Sequence, residues 1–486
     1  MDFNIILACD SMHGIGRSGF KDTIPWKIKD DMAFFKDTTC RRKENTINVL
    51  IMGRKTADTL SKPLPDRMCI VITNQDYRRD GFVTHSSLDS ALDDLSKNEK
   101  INDVFVIGGA VFADFAIKHK RCRTVYLVTI AHNYNCDIRL SSEFIGQLDS
   151  NIYIRSSDSM ISYCKSINQH VELTINKYTY VNQEEIAYLD MLDRIITCGD
   201  QRSTRNAQTY SLFGEKLVFD MNNGFPLLTT KKMFYRGIFE ELIFFLRGNT
   251  NTKLLEEKKV MIWHENTTEE FIENNGKKLE EYDMGPMYGF QWRHYGTPYT
   301  GSDTLYDGKG IDQLQYVTDA LISDPMSRRI LMTVYNPAQV DEGVLYPCHG
   351  LVVQFYVEAS MISLQMYQRS VDTFLGLPFN IASYAALLHI VVNLVNNHVA
   401  RTHTIDYKPG RVIMILGDTH IYSDKKADHI EVVKKQIKRK SSTYPFPEFR
   451  INKKLKKLDD LNHLETSDME IIDYVSNPTL KAKMVA

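Results

Sequence analysis

A chain of 486 residues exceeds one ordinary hydrophobic core and implies two to four domains. Its 43% hydrophobic and 25% charged residues exclude a disordered chain, and a formal net charge of −2 excludes a global field that would recruit nucleic acid or an anionic membrane. The eight cysteines are scattered without CxxC spacing or a metal-ligand cluster, so they read as reduced thiols and the expectation is a soluble, cytoplasmic, metal-free protein.

The first residues, Met1-Asp2-Phe3-Asn4, carry no basic region, and the apolar run after them stops at Cys9 and Asp10, too early for a secretory signal. Short β-branched runs follow at Asn4–Cys9, Asn48–Met52, Met68–Ile72, Val104–Ile107 and Val125–Ile130. Helix-like stretches lie at Ile28–Asp37, Ser87–Lys97 and Val111–Lys118. That alternation predicts an α/β domain, a mostly parallel sheet with helices on both faces, and Glu172–Val181 reads as a closing strand near its edge. Three strand ends carry groups suited to phosphate: Gly53-Arg54-Lys55-Thr56, Thr73-Asn74 and Gly108-Gly109. Together they point to a dinucleotide, bound beyond the carboxyl ends of the strands. Pro25-Trp26 precede a helix with Asp30 and Asp31, and periodicity allows either carboxylate to face inward.

As a whole this half resembles dihydrofolate reductase, through Ala8, the Gly14-Ile15-Gly16 loop, Pro-Trp followed by Asp31, Met52 to Thr56, Pro63-Leu64-Pro65-Asp66-Arg67, Thr73 and Ile107-Gly108-Gly109. The resemblance selects Asp31 as the group that holds the pterin and assists protonation at N5 while NADPH delivers hydride to C6. It implies that Ile6, Met32, Phe35 and Leu64 flank the folate and that Arg67 pairs with its glutamate carboxylate. It also implies that Ala8, Ile15, Gly53, Arg54, Lys55, Thr56, Thr73, Asn74, Gly108, Gly109, Ala110 and Val111 take NADPH. The loop from Asp10 to Ile24 would be a mobile flap. Two positions depart from the family. Val128 stands where a threonine bridges to the carboxylate, with Thr129 one residue later, and Ala110-Val111 supplies no arginine for the adenosine phosphate.

No Pro, Ser or Gly-rich linker separates the halves, because strand-like Tyr178–Val181 runs into helix-like Glu184–Thr197. The boundary is placed between 182 and 183, and closely apposed domains are expected. Strand candidates at Leu217–Asp220, Ile330–Val334, Leu351–Val357 and Met361–Tyr367, with helices at Ile238–Leu246 and Ala382–Asn396, predict an α+β second domain. The longest apolar helix candidate, Tyr384–Val395, is broken by His389 and Asn393 and is not expected to span a bilayer. Cys348 follows Pro347 and precedes the run Leu351–Val357, so its thiol is expected at a fixed strand end. Arg328, Arg329 and Arg369 are cations available to lower its pKa from about 8.5.

Tyr346-Pro347-Cys348-His349, the run from Gln368 through Asp372 and Asn380 to Tyr384, and Gly417 to Tyr422 closely resemble thymidylate synthase. The resemblance implies a bifunctional enzyme of the two families. Its alternative is a synthase beside a degenerate or regulatory reductase-like half. By resemblance Cys348 adds to C6 of dUMP, Glu241 and Tyr288 organise proton transfer, and Asn380 reads the uracil amide. The resemblance assigns dUMP also to Gln368, Arg369, Ser370, Asp372, His420, Tyr422 and Arg205, with Arg202 as an alternative phosphate ligand. Arg328 and Arg329 would come from the second subunit of a homodimer formed through the large sheet. For 5,10-methylenetetrahydrofolate the implied residues are Ile262, Trp263, Asp372, Leu375, Gly376, Phe379 and Val485; His349 is read as a supporting polar group. A similar tail in the family folds over the folate, and Asn477 stands where histidine is usual. The basic runs Lys434–Lys440 and Lys453–Lys457 read as solvated faces, so RNA and membranes are not expected partners.

Overall fold

The computed structural model describes residues 1–19, 23–150, 152–204, 207–401, 404–424 and 427–484. The chain forms two compact units, Met1–Val181 and Asn182–Ala486.

The first unit is built on an eight-stranded sheet of β1 (Phe3–Asp10), β2 (Ile47–Gly53), β3 (Arg67–Ile72), β4 (Phe82–His85), β5 (Ile101–Val106), β6 (Cys122–Ile130), β7 (Tyr153–Cys164) and β8 (Gln169–Tyr180). Its order is β4-β3-β2-β5-β1-β6-β8-β7. All neighbours are parallel up to β6, and β8 runs antiparallel to both β6 and β7. Helices α1 (Lys29–Cys40), α2 (Arg54–Thr59), α3 (Leu88–Leu95) and α4 (Ala110–Ile117) accompany it. Successive strand residues serve opposite cores. Val49 and Ile51 pack with Leu88 and Leu92 of α3 and Ala113 of α4, whereas Leu50 and Met52 pack with Ile6, Phe105 and, partly buried, Phe34 and Phe35 of α1. Burial of both faces is why these strands read as unbroken apolar runs. The sequence reading passes over β7, in which only Tyr153, Ser162 and Cys164 are buried. Twelve backbone pairings to β8 hold this edge strand, and they leave no apolar pattern to read.

The second unit contains α5 (Gln183–Cys198), α6 (Tyr235–Leu246), α7 (Gln313–Ser323), α8 (Gly376–Asn397) and α9 (Ile430–Ile437). Its strands are β9 (Asp200–Ser203), β10 (Gln208–Asp220), β11 (Leu331–Met332), β12 (Val352–Glu358), β13 (Met361–Asp372) and β14 (Lys408–Asp424). They lie in the order β9-β10-β14-β13-β12-β11, with short Ala427–Asp428 paired to β14; β13 and β14 are parallel and the other pairs antiparallel. The expected strand Ile330–Val334 shrinks to two residues, because Thr333 turns its N–H and hydroxyl to Gln313 and Leu351. The 17-residue β14, missed from sequence, lies at the middle of the sheet.

Helix α8 starts eight residues earlier than Tyr384 and, at 22 residues, is long and apolar enough to cross a bilayer, correcting the sequence reading on length. It is instead mostly buried as the core helix of this unit, beside α6, β13 and β14. The opposite sheet face is open. Register places Leu331, Val352, Tyr356, Tyr367 and Val218 on it, all exposed, with Ile413 and Ile415 half-buried between them.

Candidate active sites

A cleft of about 840 Å³ in the second unit is lined by Cys348, Glu241, Tyr288, Gln368, Arg369, Ser370, Asp372, Asn380, His420 and Tyr422, with Ile262, Trp263, Leu375, Gly376 and Phe379. Tyr288 is its most constrained member. Its backbone sits at φ +38°, and its ring is stacked on Phe245 at 5.1 Å and on His349 at 4.4 Å. The hydroxyl is thereby fixed: it accepts the Cys348 N–H at 3.2 Å and lies 3.5 Å from Cys348 Sγ. The Cys348 carbonyl accepts the Arg369 N–H at 2.9 Å, while the Arg369 side chain donates to the carbonyls of Pro347 and Tyr346. The cysteine is thus mounted in a loop before β12, held by Tyr288 and β13 rather than at a strand end.

Burial pushes the Cys348 thiol up, with Tyr288 and Arg369 pulling against it, so the thiol is raised rather than depressed as the nearby arginines suggest. Glu241 projects from the apolar helix α6. Burial pushes its carboxyl up to about 7, against the single hydrogen bond donated by Trp263 Nε1 at 2.8 Å. His349 is buried, which brings its imidazole down to about 3, and its Nδ1 is 2.9 Å from the Tyr384 hydroxyl. It is therefore a neutral support at physiological pH. Asn380 donates to Gln368 Oε1 at 3.2 Å. Asp372 accepts the N–H groups of Phe374 and Leu375 through Oδ1, which shapes the turn into α8.

Three sequence candidates for phosphate lie elsewhere. Arg328 and Arg329 are exposed in the turn after α7 and do not line the cleft. Arg202, the alternative, is paired with Asp418 at 2.8 Å, and Asp418 also contacts His420 and accepts from Ser211. Arg205 and Val485 fall outside the described residues. The final segment is nonetheless held: Asn477 donates to Thr229 and Ser442 carbonyls, Arg439 donates to the Pro478 carbonyl, and Met484 reaches the cleft.

In the first unit Asp31 is buried and Asp30 exposed, resolving the ambiguity left by periodicity. Burial pushes the Asp31 carboxyl up to about 6, and the Trp26 Nε1 donor at 3.0 Å pulls it back. Val128 is buried beside Trp26 and Ile28, while Thr129 uses its hydroxyl on Cys9 and Asn176, so it does not replace the missing threonine. Ile6 shares a cluster with partly buried Phe35 and Leu64; Met32, next to Asp31, is exposed. Arg67 is braced by the Pro65 carbonyl and the Thr39 hydroxyl, 6.0 Å from the Phe35 ring. Ala8 pairs with Val128, and half-buried Ile15 packs against the core of the unit.

The three phosphate-suited strand ends belong to neighbouring parallel strands. Gly53 N donates to the Gly108 carbonyl at 3.1 Å, and Thr73 immediately follows β3. Gly108, at φ +125°, holds a backbone conformation that favours glycine, and Gly109 leads directly into α4. Arg54 is ion-paired with Asp58 at 3.2 Å, whereas Lys55, Asn74 and Val111 are exposed and Ala110 half-buried.

The thymidylate synthase family model matches residues 186–486 and the dihydrofolate reductase model residues 2–158. A bifunctional dihydrofolate reductase-thymidylate synthase of Paramecium tetraurelia is 36% identical over 99% of this chain and 98% of its own length. Those of Leishmania major and Zea mays are 35% and 34% identical, each over 99% of this chain and 95% and 96% of their own. The chain belongs to the bifunctional dihydrofolate reductase-thymidylate synthase family. Sequence reasoning within that family missed several residues lining the cleft, among them Thr209, Asn266, Lys277, Asp418 and Met484. Asp418 lies in the run from Gly417 to Tyr422 that carries the resemblance and was legible. Asn266 and Lys277 come from a stretch without a motif, and Asn266 is buried with its amide nitrogen unpartnered.

Proposed function

We propose that residues 183–486 methylate dUMP to dTMP with 5,10-methylenetetrahydrofolate, and that residues 1–182 reduce the resulting dihydrofolate with NADPH. The carrying observation is the convergence of Cys348, Tyr288, Glu241 and Asn380 in one cleft. Full-length similarity to bifunctional relatives supports pairing it with the reductase.

In the synthase reaction Cys348 Sγ bonds to C6 of the uracil, and the C5–C6 electron pair moves toward O4, leaving C5 nucleophilic. Asn380 orients the ring, and His420 and Tyr422 meet the ribose. Arg369 and Ser370 hold the phosphate together with Arg328 and Arg329 of a second copy. The folate supplies the methylene carbon and then the hydride that completes the methyl group. Glu241, with a pKa of about 7, takes and returns protons through water, and Tyr288, whose hydroxyl is beside Cys348 Sγ, assists the departure of the C5 proton. Expulsion of Cys348 restores the C5–C6 double bond. Asp372, Trp263, Leu375 and Phe379 form the folate wall. The open sheet face bearing Val352, Tyr356 and Tyr367 supports a homodimer through that sheet.

In the reductase the donor set fits NADPH: Gly53, Thr73, Gly108 and Gly109 share one edge of the parallel sheet, with Thr56 and Lys55 beside them. NADPH supplies the hydride when bound. Asp31 holds the pterin and, with a pKa near 6, is partly protonated at neutral pH and so assists N5 protonation. Arg67, preset by Pro65 and Thr39, meets the glutamate carboxylate. The test is to assay both half-reactions on one preparation. NADPH oxidation with dihydrofolate and dTMP formation from dUMP are both expected, and absence of either removes that half of the assignment.

A further inference from the structure

His429 is the N-cap residue of α9 and is fully buried. Its ring is held from two sides, by Phe374 at 5.8 Å and Tyr422 at 5.5 Å, and its backbone N–H donates to the Tyr422 carbonyl at 3.0 Å. The imidazole therefore cannot swing. Its Nε2 lies 2.8 Å from the Lys483 carbonyl, which accepts, so that nitrogen carries the proton. Its Nδ1 has no hydrogen-bond partner and faces Asp372 Oδ2 at 3.9 Å. One rigid side chain thus touches both the final segment and a carboxylate of the cleft. The next residue, Met484, lines that cleft.

We propose that His429 is a positioning residue, a fixed post that seats the final segment over the folate side of the cleft by holding the Lys483 carbonyl beside Asp372. The proposal rests on the synthase reading for its kinetic consequence but not for its geometry. Other anchors hold the segment further back, at Asn477 and Pro478. Among the described residues, His429 is the side chain that holds Lys483, the residue next to the cleft-lining Met484. Seating matters after Cys348 has bonded to the nucleotide, when water must be kept from the activated carbon.

The amide nitrogen of glutamine falls near the position of histidine Nε2 and that of asparagine near Nδ1, which separates the two contacts. His429→Asn is expected to lower kcat/KM for methylenetetrahydrofolate roughly fivefold, the order of one lost hydrogen bond, and His429→Gln to restore most of it. Affinity for dUMP and NADPH-dependent reduction should stay at wild-type values, and any loss of thermal stability should be shared by the two variants, because each removes the same buried ring. Ending the chain after Ala482 should cost at least as much, and adding His429→Asn to that truncation should cost nothing more. Equal losses in the asparagine and glutamine variants, or additive losses with the truncation, would overturn the post. Trypsin cleavage after the exposed Lys481 in the ligand-free protein reads the same contact without turnover. Cleavage should be several-fold faster in His429→Asn than in wild type or His429→Gln, and equal rates would overturn the proposal. Differential cleavage in a protein that makes no dTMP would uphold the post and refute the synthase reading instead.

Discussion

Replacing Asp31 by asparagine should stabilise the reductase unit at neutral pH while disabling it. The carboxyl is raised from 3.8 to about 6 by burial. For an acid with a raised folded-state pKa, the folded state binds more protons than the unfolded state between those two values, so stability falls as pH rises from about 3.8 to 6 and stays low above. A shift of roughly two units at about 1.4 kcal/mol each corresponds to about 3 kcal/mol, of which about 2.5 kcal/mol develops between pH 4.0 and 7.5. The substituted asparagine would keep an oxygen to accept from Trp26, and any cost of its amide hydrogens is independent of pH. The difference between the two pH values therefore isolates the ionisation. Urea unfolding of wild type and Asp31→Asn at pH 4.0 and 7.5, with each unit followed by hydrogen exchange and mass spectrometry, measures it. Reduction by the variant should be poor at neutral pH and recover as pH falls, when dihydrofolate arrives already protonated. A stability difference between variant and wild type that does not change with pH, or full reductase activity at neutral pH, would refute the reasoning.

Cys348→Ser should reduce dTMP formation on the order of a thousandfold or more while dihydrofolate reduction continues unchanged, as two separate assays on the same sample would register. Trp263→Phe removes the hydrogen bond that favours the charged form of Glu241, so the pKa near 7 should move up by about one unit, read from the pH profile of kcat for methylation. Tyr356→Glu places a charge on the open apolar sheet face and should shift the protein toward monomer in sedimentation; an unaltered oligomeric state would count against that face as the interface. Cys348→Ser and Arg329→Ala, each inactive as a synthase, should regain partial activity when mixed under subunit exchange, whereas continued inactivity with demonstrated exchange would indicate cleft arginines supplied within one chain.

What the sequence by itself determined is whatever local order encodes. Doubly covered strands are unbroken apolar runs, so β1, β2, β3, β5 and β6 were legible, as was the helix carrying Asp31. The residues around Cys348, Arg369 and Asn380 were legible because the chemistry requires particular side chains at set spacings along short segments. Strand β7 was invisible because its partner's backbone, rather than an apolar pattern, holds it. Helical periodicity left Asp30 and Asp31 open and the family resemblance chose Asp31; the tertiary structure supplied the physical difference, since two adjacent helix positions differ in burial solely through what packs on them. It also gave Arg202 to Asp418, 216 residues away, and brought Lys483 to His429 across 54 residues. The Cys348 thiol shows the same division most plainly. Nearby arginines in the sequence suggested a lowered pKa, yet the thiol is raised, because desolvation depends on every segment that closes around it and no local stretch records that sum.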